Sequence, residues 1–267
     1  MNRHEQYEPL QLHYRELGQS ASSSLPPVIL LHGMFGDGDN LGLVARHLEP
    51  TRRVLLVDLP NHGQSPHRDG MKLRWMAGDV VALLDRLGIG QADMLGHSLG
   101  GKVAMQVAML HPERVRRLVV ADIAPVRYPP KQRHVMDALL AVDLSQVQRR
   151  GDADAQLQRH LDEAGVRQFL LKSLYREGDT FRWRFNLPAL AASYEEISDA
   201  PEGTPFEGPT LFVKGERSDY ITADHSEAMQ ELFPALQFKT IAGAGHWLHA
   251  EKPVAFNKLV ERFLAAE

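Results

Sequence analysis

Ser98 stands in Gly96-His97-Ser98-Leu99-Gly100, a Gly-x-Ser-x-Gly run that sets one hydroxyl between two glycines. The pattern suits a nucleophile on a sharp strand-to-helix turn, where only small neighbours tolerate the strained backbone. A serine hydroxyl is barely ionised near neutral pH, so it attacks a carbonyl only with help from a histidine base that is itself oriented by a carboxylate. His246 is the base to expect, because Ala242-Gly243-Ala244-Gly245-His246-Trp247 puts it on small, flexible residues between a strand-like run and the last helix. Two aspartates compete as the orienting acid. Asp122 closes the run Leu118-Val119-Val120-Ala121, and Asp219 follows Leu211-Phe212-Val213-Lys214 within Gly215-Glu216-Arg217-Ser218-Asp219. Both keep the order serine, acid, histidine, so chain order does not choose between them.

Acyl transfer also needs donors for the oxygen that gains charge. A helix starting at Leu99 would aim its free N–H groups and its positive dipole end at that oxygen. A second donor is expected in His32-Gly33-Met34-Phe35-Gly36, after the strand-like Pro27-Val28-Ile29-Leu30-Leu31, with the amide of Met34 placed ahead of that of Phe35. Metal chemistry finds less support. His246 and His249 form a His-x-x-His pair, but no third or fourth ligand lies at metal-site spacing, so zinc is not expected. The acidic Asp37-Gly38-Asp39-Asn40 lacks the length and terminal glutamate of a calcium loop and reads as a helix start.

These residues must be positioned by regular elements. Short aliphatic runs at residues 28–31, 54–57, 92–95, 118–121 and 211–213 alternate with helical patterns at 41–48, 73–87, 223–232 and 254–265. The run at 92–95 and the helix that follows the glycines, stopped by Pro112, give Ser98 its strand-to-helix setting. Leu10, Leu12 and Tyr14 alternate as an edge strand would, before a polar turn over residues 18–24. The alternation predicts an α/β fold, a mainly parallel doubly wound sheet covered by helices on both faces, with the site at the strand C-terminal ends. It breaks over residues 126–205, where helical patterning at 134–142, 155–163 and 166–175 and the absence of β-rich runs predict a helical cap inserted into a core of residues 1–125 and 206–267. Prolines mark both ends of the insert. A cap over Ser98 would shape the acyl pocket and exclude water. Phe35, Trp183 and Phe185 are candidates to line it, and Arg182 and Arg184 to meet an anionic leaving group.

Taken together, Leu31-His32-Gly33, Asp58-Leu59-Pro60-Asn61-His62-Gly63-Gln64-Ser65, Gly96-His97-Ser98-Leu99-Gly100-Gly101 and Gly243-Ala244-Gly245-His246-Trp247 resemble the α/β-hydrolase superfamily across essentially the whole chain. Within it the chain looks most like the YbfF-type esterases. That likeness rests on His32-Gly33-Met34-Phe35-Gly36, Gly101-Lys102, Asp122-Ile123-Ala124-Pro125-Val126, Phe169-Leu170-Leu171-Lys172-Ser173, Trp183-Arg184-Phe185-Asn186 and His246-Trp247-Leu248-His249-Ala250-Glu251-Lys252-Pro253. The resemblance implies hydrolysis of short acyl esters, with acyl-CoA thioesters as a further substrate class and no cofactor. It also bears on the acid. Most of the superfamily carries an aspartate three residues after the glycine that ends the later strand, a slot held here by Ser218, whereas the YbfF-type acid matches Asp122. Ser218 is then an auxiliary residue with a hydrogen bond to His246. The serine at position 98 argues against a dehalogenase or an epoxide hydrolase, which need an aspartate there. A carbon-carbon bond hydrolase with the same three residues and a non-catalytic binding protein are the competing readings.

Composition agrees with one compact enzyme. A chain of 267 residues with 43% hydrophobic content can bury a large core. A formal charge of −4, with both signs interspersed and no long basic stripe, argues against a nucleic-acid partner. The chain has no cysteine, which excludes a disulfide framework and suits the cytoplasm. The polar N-terminal residues 1–13 lack the apolar core of a signal peptide, and no apolar run approaches spanning length, so secretion and membrane insertion are not expected.

Overall fold

The computed structural model describes residues 7–18 and 25–266. Seven strands form one sheet: β1 (Tyr14–Leu17), β2 (Val28–Leu31), β3 (Val54–Val57), β4 (Ala92–His97), β5 (Val115–Ala121), β8 (Thr210–Gly215) and β9 (Leu236–Ile241). Their spatial order is β1-β3-β2-β4-β5-β8-β9, and every pairing is parallel except that of β1 with β3. Strands β2 and β3 are aliphatic without interruption because both faces of the sheet are covered there. Successive residues therefore enter different cores. Ile29 and Leu31 of β2 join Leu55 and Val57 of β3 on one face, while Val28 and Leu30 join Val54 and Leu56 on the other.

Helices α2 (Leu73–Arg86) and α3 (Leu99–Leu110) pack on the first face through Met76, Val80, Val103 and Val107. Helix α1 (Gly42–Leu48) and, after α9 (Ser226–Leu232) and α10 (Leu248–Glu251), the closing helix α11 (Pro253–Ala265) cover the second through Val44, Leu48, Phe256 and Val260. Asp37 caps a short 3₁₀ turn at Gly38–Leu41 by accepting from the Asp39 amide, so the acidic run there is a helix start. The chain leaves β2 to one side for β3 and later returns on its other side for β4. This reversal opens a crevice beyond the C-terminal ends of β2 and β4, where open α/β sheets bind their ligands. The opening strand begins only at Tyr14, with Leu10 and Leu12 ahead of it, and the turn expected over 18–24 lies, beyond Gly18, outside the described residues.

Between β5 and β8 come helices α4 (Arg133–Leu140), α5 (Arg150–Leu157), α6 (Ala164–Lys172), α7 (Leu187–Ala192) and α8 (Tyr194–Ser198). This stretch is not wholly helical. It contains a hairpin of β6 (Leu174–Glu177) and β7 (Thr180–Trp183), so α6 stops at Lys172, short of the expected helix end. Gly178 supplies the positive φ of 59° that a two-residue Gly-Asp turn requires, and Tyr175, Thr180, Phe181 and Trp183 are good strand formers. The helix expected over 155–163 sits earlier, at Arg150–Leu157, because Asp152 accepts from the amides of Gln148 and Arg149 and starts it there. The insert is tied to the strand ends by Ser173 Oγ to the Phe35 carbonyl (2.7 Å) and by the Asn186 amide to the Asn61 carbonyl (2.8 Å).

Candidate active site

Ser98 is the N-cap of α3, with φ 53° and ψ −117°, and is 7% exposed. Neighbouring glycines make this turn possible. A Cβ on Gly96 would lie 2.1 Å from the Gly100 carbonyl oxygen, and one on Gly100 would lie 2.1 Å from that of Leu31. Strand β4, helix α3 and strand β2 meet here with no room for a side chain. Asp122, directly after β5, also holds a left-handed backbone at φ 54°. Such conformations cost a non-glycine residue about 1–3 kcal/mol each and persist only where their surroundings enforce them.

Asp122 is fully buried, and both of its carboxylate oxygens accept hydrogen bonds. Its Oδ1 accepts from the Gly215 amide (2.9 Å), and its Oδ2 accepts from Nδ1 of His246 (2.7 Å) and from the Ser218 hydroxyl. Ser218 thus bonds the carboxylate and not the imidazole, which corrects the expectation of a bond to His246. Nδ1 of His246 is already bonded to that same carboxylate oxygen, so the hydroxyl of Ser218 meets the acid beside the ring and not the ring itself. Asp219 points elsewhere: its side chain is 77% exposed and paired with Lys131 Nζ at 2.7 Å. That hydrogen bond holds its carboxyl below the ordinary carboxylate range.

With Nδ1–H given to Asp122, His246 keeps Nε2 as an acceptor. Its ring lies face to face with Tyr220, centroids 4.0 Å apart and planes 19° from parallel, and its carbonyl accepts from Nε2 of His97 at 2.8 Å. Ser98 and His246 line one cavity of about 450 Å³. The Ser98 hydroxyl makes no hydrogen bond among the described residues, a looseness common in catalytic groups before substrate draws them together. The amides around the hydroxyl are unequal. Phe35 N–H donates to His62 Nε2 (3.2 Å), whereas those of Met34 and Leu99 have no partner among the described residues and border the space beside Ser98.

Four further histidines frame this arrangement; the sequence offered His249 only as a metal-ligand candidate with His246, and gave His32, His62 and His97 no role of their own. His32 and His62 donate from Nδ1 to the carbonyls of Gly33 and Pro60 (both 2.8 Å) and accept at Nε2 from the amides of Leu59 and Phe35. His97 and His249 pack ring against ring at 4.5 Å. Burial, reinforced by neighbouring imidazoles, pushes His62 and His249 down to about 3 and lowers His97 well below the ordinary histidine value. All four are buried spacers that fix loop backbones by hydrogen bonds and packing. The available signal was position: His32 and His62 each follow the end of a buried strand by a few residues. Among the described residues no group of three or more His, Asp or Glu is placed to hold a metal ion.

Phe35 lines the cavity, but Trp183, Arg184 and Phe185 do not. Phe185 packs on Phe35 (5.3 Å) and Trp183 stacks on Phe185 (5.4 Å, 9°), so they form a column behind Phe35. Arg184 borders a separate polar cleft with Asp37, Asp58 and Lys172, and Arg182 pairs with Glu177 at 2.6 Å. The cavity wall that the sequence did not disclose comes from Val135, Val166, Phe169 and Leu170 of the insert, with Tyr220 and Trp247 of the core. Lys102, buried on α3, donates to the carbonyls of Ser198 and Asp199 and lies over the Tyr128 ring. Burial pushes its ammonium down to about 7.

Comparison with known proteins identifies the family. The sequence profile described as alpha/beta hydrolase fold matches residues 26–253. The chain is 41% identical over 267 residues to the sn-1-specific diacylglycerol lipase ABHD11 of Mus musculus, covering 96% of this chain and 86% of that one. It is 41% identical over 239 residues to esterase YbfF of Escherichia coli (strain K12), covering 89% and 92%. Among solved structures, a marine microorganism esterase superposes with a TM-score of 0.91 at 37% identity, over 95% of this chain and 99% of that one. A Gly-x-Ser-x-Gly turn at the end of a central parallel strand, an imidazole held by a buried carboxylate and these matches lead to one assignment: the chain belongs to the α/β-hydrolase family and stands there beside the YbfF-type esterases.

Proposed function

We propose that this enzyme is a serine carboxylesterase that cleaves short acyl esters, and acyl-CoA thioesters as a second class, through Ser98, His246 and Asp122. The observation that carries the reading is the 2.7 Å contact of His246 Nδ1 with the buried Asp122 while the same imidazole borders the cavity of Ser98. His246 Nε2 takes the proton as Ser98 Oγ bonds to the carbonyl carbon, and Asp122 stabilises the imidazolium that forms. The oxyanion is received by the amides of Leu99, at the N-terminus of α3, and of Met34. Collapse breaks the bond to the leaving oxygen or sulfur, which departs with the proton from His246. A water deprotonated by His246 then attacks the acyl-enzyme, and the acid leaves as Ser98 regains its proton. No cofactor enters these steps. Residues 126–205 act as the cap that walls the cavity, and a reducing cytoplasm suits a chain without cysteine. Among the described residues no helix is long and apolar enough to cross a membrane.

The test is hydrolysis of ester and CoA-thioester series by the wild type and by Ser98→Ala, with fluorophosphonate labelling followed by peptide mapping. Label on Ser98 and loss of turnover by at least about a thousand-fold in the variant are expected. Activity that survives in Ser98→Ala, or a label elsewhere, would remove the assignment.

A further inference from the structure

Ser98 borders two spaces of very different size. One is the cavity of about 450 Å³ that holds His246, His97, Trp247 and Phe169. The other, of about 50 Å³, is lined by Leu99, Ile123, Tyr128, Tyr194 and Ile197 and does not include His246. Met34 and Tyr220 border both, so the two spaces meet at the serine.

The chemistry proposed above tells them apart. Three groups radiate from the tetrahedral carbon besides Ser98 Oγ: the oxyanion, the leaving group and the acyl chain. The oxyanion is taken by the amides of Leu99 and Met34. The leaving atom must receive its proton from His246, so it departs on the imidazole's side, into the large cavity. The acyl chain is left with the direction away from the imidazole, into the small one.

We propose that the small space is the acyl pocket and the large one the leaving-group pocket, so the enzyme selects short, uncharged acyl chains on bulky alcohols or thiols. This rests on the esterase reading and narrows it to a substrate class. A water needs on the order of 10–15 Å³ on the same measure, so the pocket takes about three or four atoms beyond the carbonyl, the tail of a butyryl group.

The polar atoms of its wall are already engaged. Tyr128 OH accepts from the Ala124 amide (2.9 Å) and donates to the Tyr220 carbonyl, while Tyr194 OH accepts from the Gln132 amide (2.8 Å). The Lys102 ammonium is held by the carbonyls of Ser198 and Asp199 and by the face of Tyr128. Lys131, which borders both spaces, is paired with Asp219 (2.7 Å), so a chain entering there meets mainly apolar surface and no unpaired charge. Ile123 packs directly on the serine turn, where a Cβ on Gly101 would lie 2.6 Å from its Cγ2, so a substitution there would not separate acyl selection from the turn itself. Ile197, on α8, is the specificity-determining residue that can be changed.

The experiment measures kcat/KM for p-nitrophenyl acetate, butyrate, hexanoate and octanoate in wild type, Ile197→Ala, Ile197→Val and, on the other side, Val135→Ala. Fluorophosphonate titration counts the folded active sites of each variant. Wild type should fall by about ten-fold or more between butyrate and hexanoate. Ile197→Ala should raise the hexanoate-to-butyrate ratio by about ten-fold, with Ile197→Val intermediate, while Val135→Ala leaves that ratio within about two-fold. Should the ratio follow Val135→Ala and ignore both Ile197 variants, the pockets are reversed and the proposal is wrong. If the wild type hydrolyses none of the esters although Ser98 is labelled, it is the esterase reading itself that fails.

Discussion

At the scale of single residues, the two aspartates illustrate how little a residue type says without its surroundings. Asp122 and Asp219 each follow a parallel strand near the serine. Only Asp122 is buried, and only it receives hydrogen bonds from an amide, a hydroxyl and the imidazole. Asp219 is screened by water and by Lys131, and a surface ion pair of this kind is worth at most about 1 kcal/mol. Asp122→Asn should therefore lower kcat on the order of a thousand-fold or more, because an amide at that position favours the wrong imidazole tautomer. Asp219→Asn should stay within about three-fold. Steady-state kinetics on one ester decides this, and the reverse ranking would move the acid to Asp219. The same contrast separates Phe35 from Met34. One amide is spent on His62, and that of Met34 has no partner among the described residues and borders the space beside Ser98.

At the scale of elements, the serine turn is a contact among three backbones. Gly96 and Gly100 are required by proximity: β2, β4 and α3 approach so closely that the smallest side chain would overlap carbonyl oxygens. Gly100→Ala should therefore separate α3 from Leu31, cost about 3 kcal/mol or more and lower Tm by roughly 10 °C, together with loss of fluorophosphonate labelling. Calorimetry on the purified variant would test it, and an unchanged Tm would mean that the helix can shift without strain. The buried charge on β4 follows a similar logic. Asp93 interrupts an otherwise apolar strand, yet it is fully enclosed by Arg52 (2.8 Å) and Arg116 (2.6 Å), which join the sheet to the end of α11 through the Leu264 carbonyl.

At the scale of the whole molecule, the buried histidines couple the fold to pH. In the unfolded chain each titrates near 6.5, whereas burial holds His62 and His249 at about 3 in the folded state. Between those values the unfolded chain binds protons that the native one does not, so stability is complete above about pH 6.5 and declines as pH falls toward 3. At pH 5 each group costs about 2 kcal/mol relative to pH 8. Urea midpoints measured at both pH values should show this decline, and His249→Phe should reduce it by about 2 kcal/mol. The substitution suits the site, since Nδ1 of His249 is buried without a partner and its ring packs on His97 and Phe256. An identical pH dependence in the variant would mean that His249 is protonated in the folded protein.

Local chemistry made much of this legible in one dimension. The sheet was readable because fully covered parallel strands must be continuous aliphatic runs, and the serine turn because its geometry admits only glycine at fixed places. His246 could be singled out because a mobile base needs small neighbours at a strand end. Other features depend on which segments meet in space, and spacing along a chain carries no such information. The partner of Ser218, the commitment of the Phe35 amide, the column of Phe185 and Trp183 behind the cavity, the displacement of Arg184 into another cleft and the stacking of Tyr220 on His246 are all of this kind. The residues alone therefore determined the architecture and singled out Ser98 and His246 as the proposed nucleophile and base. Tertiary structure decided which carboxylate faces the ring and which walls a substrate would touch, because hydrogen bonds and van der Waals contacts act over a few ångströms between parts of the chain that lie a hundred residues apart.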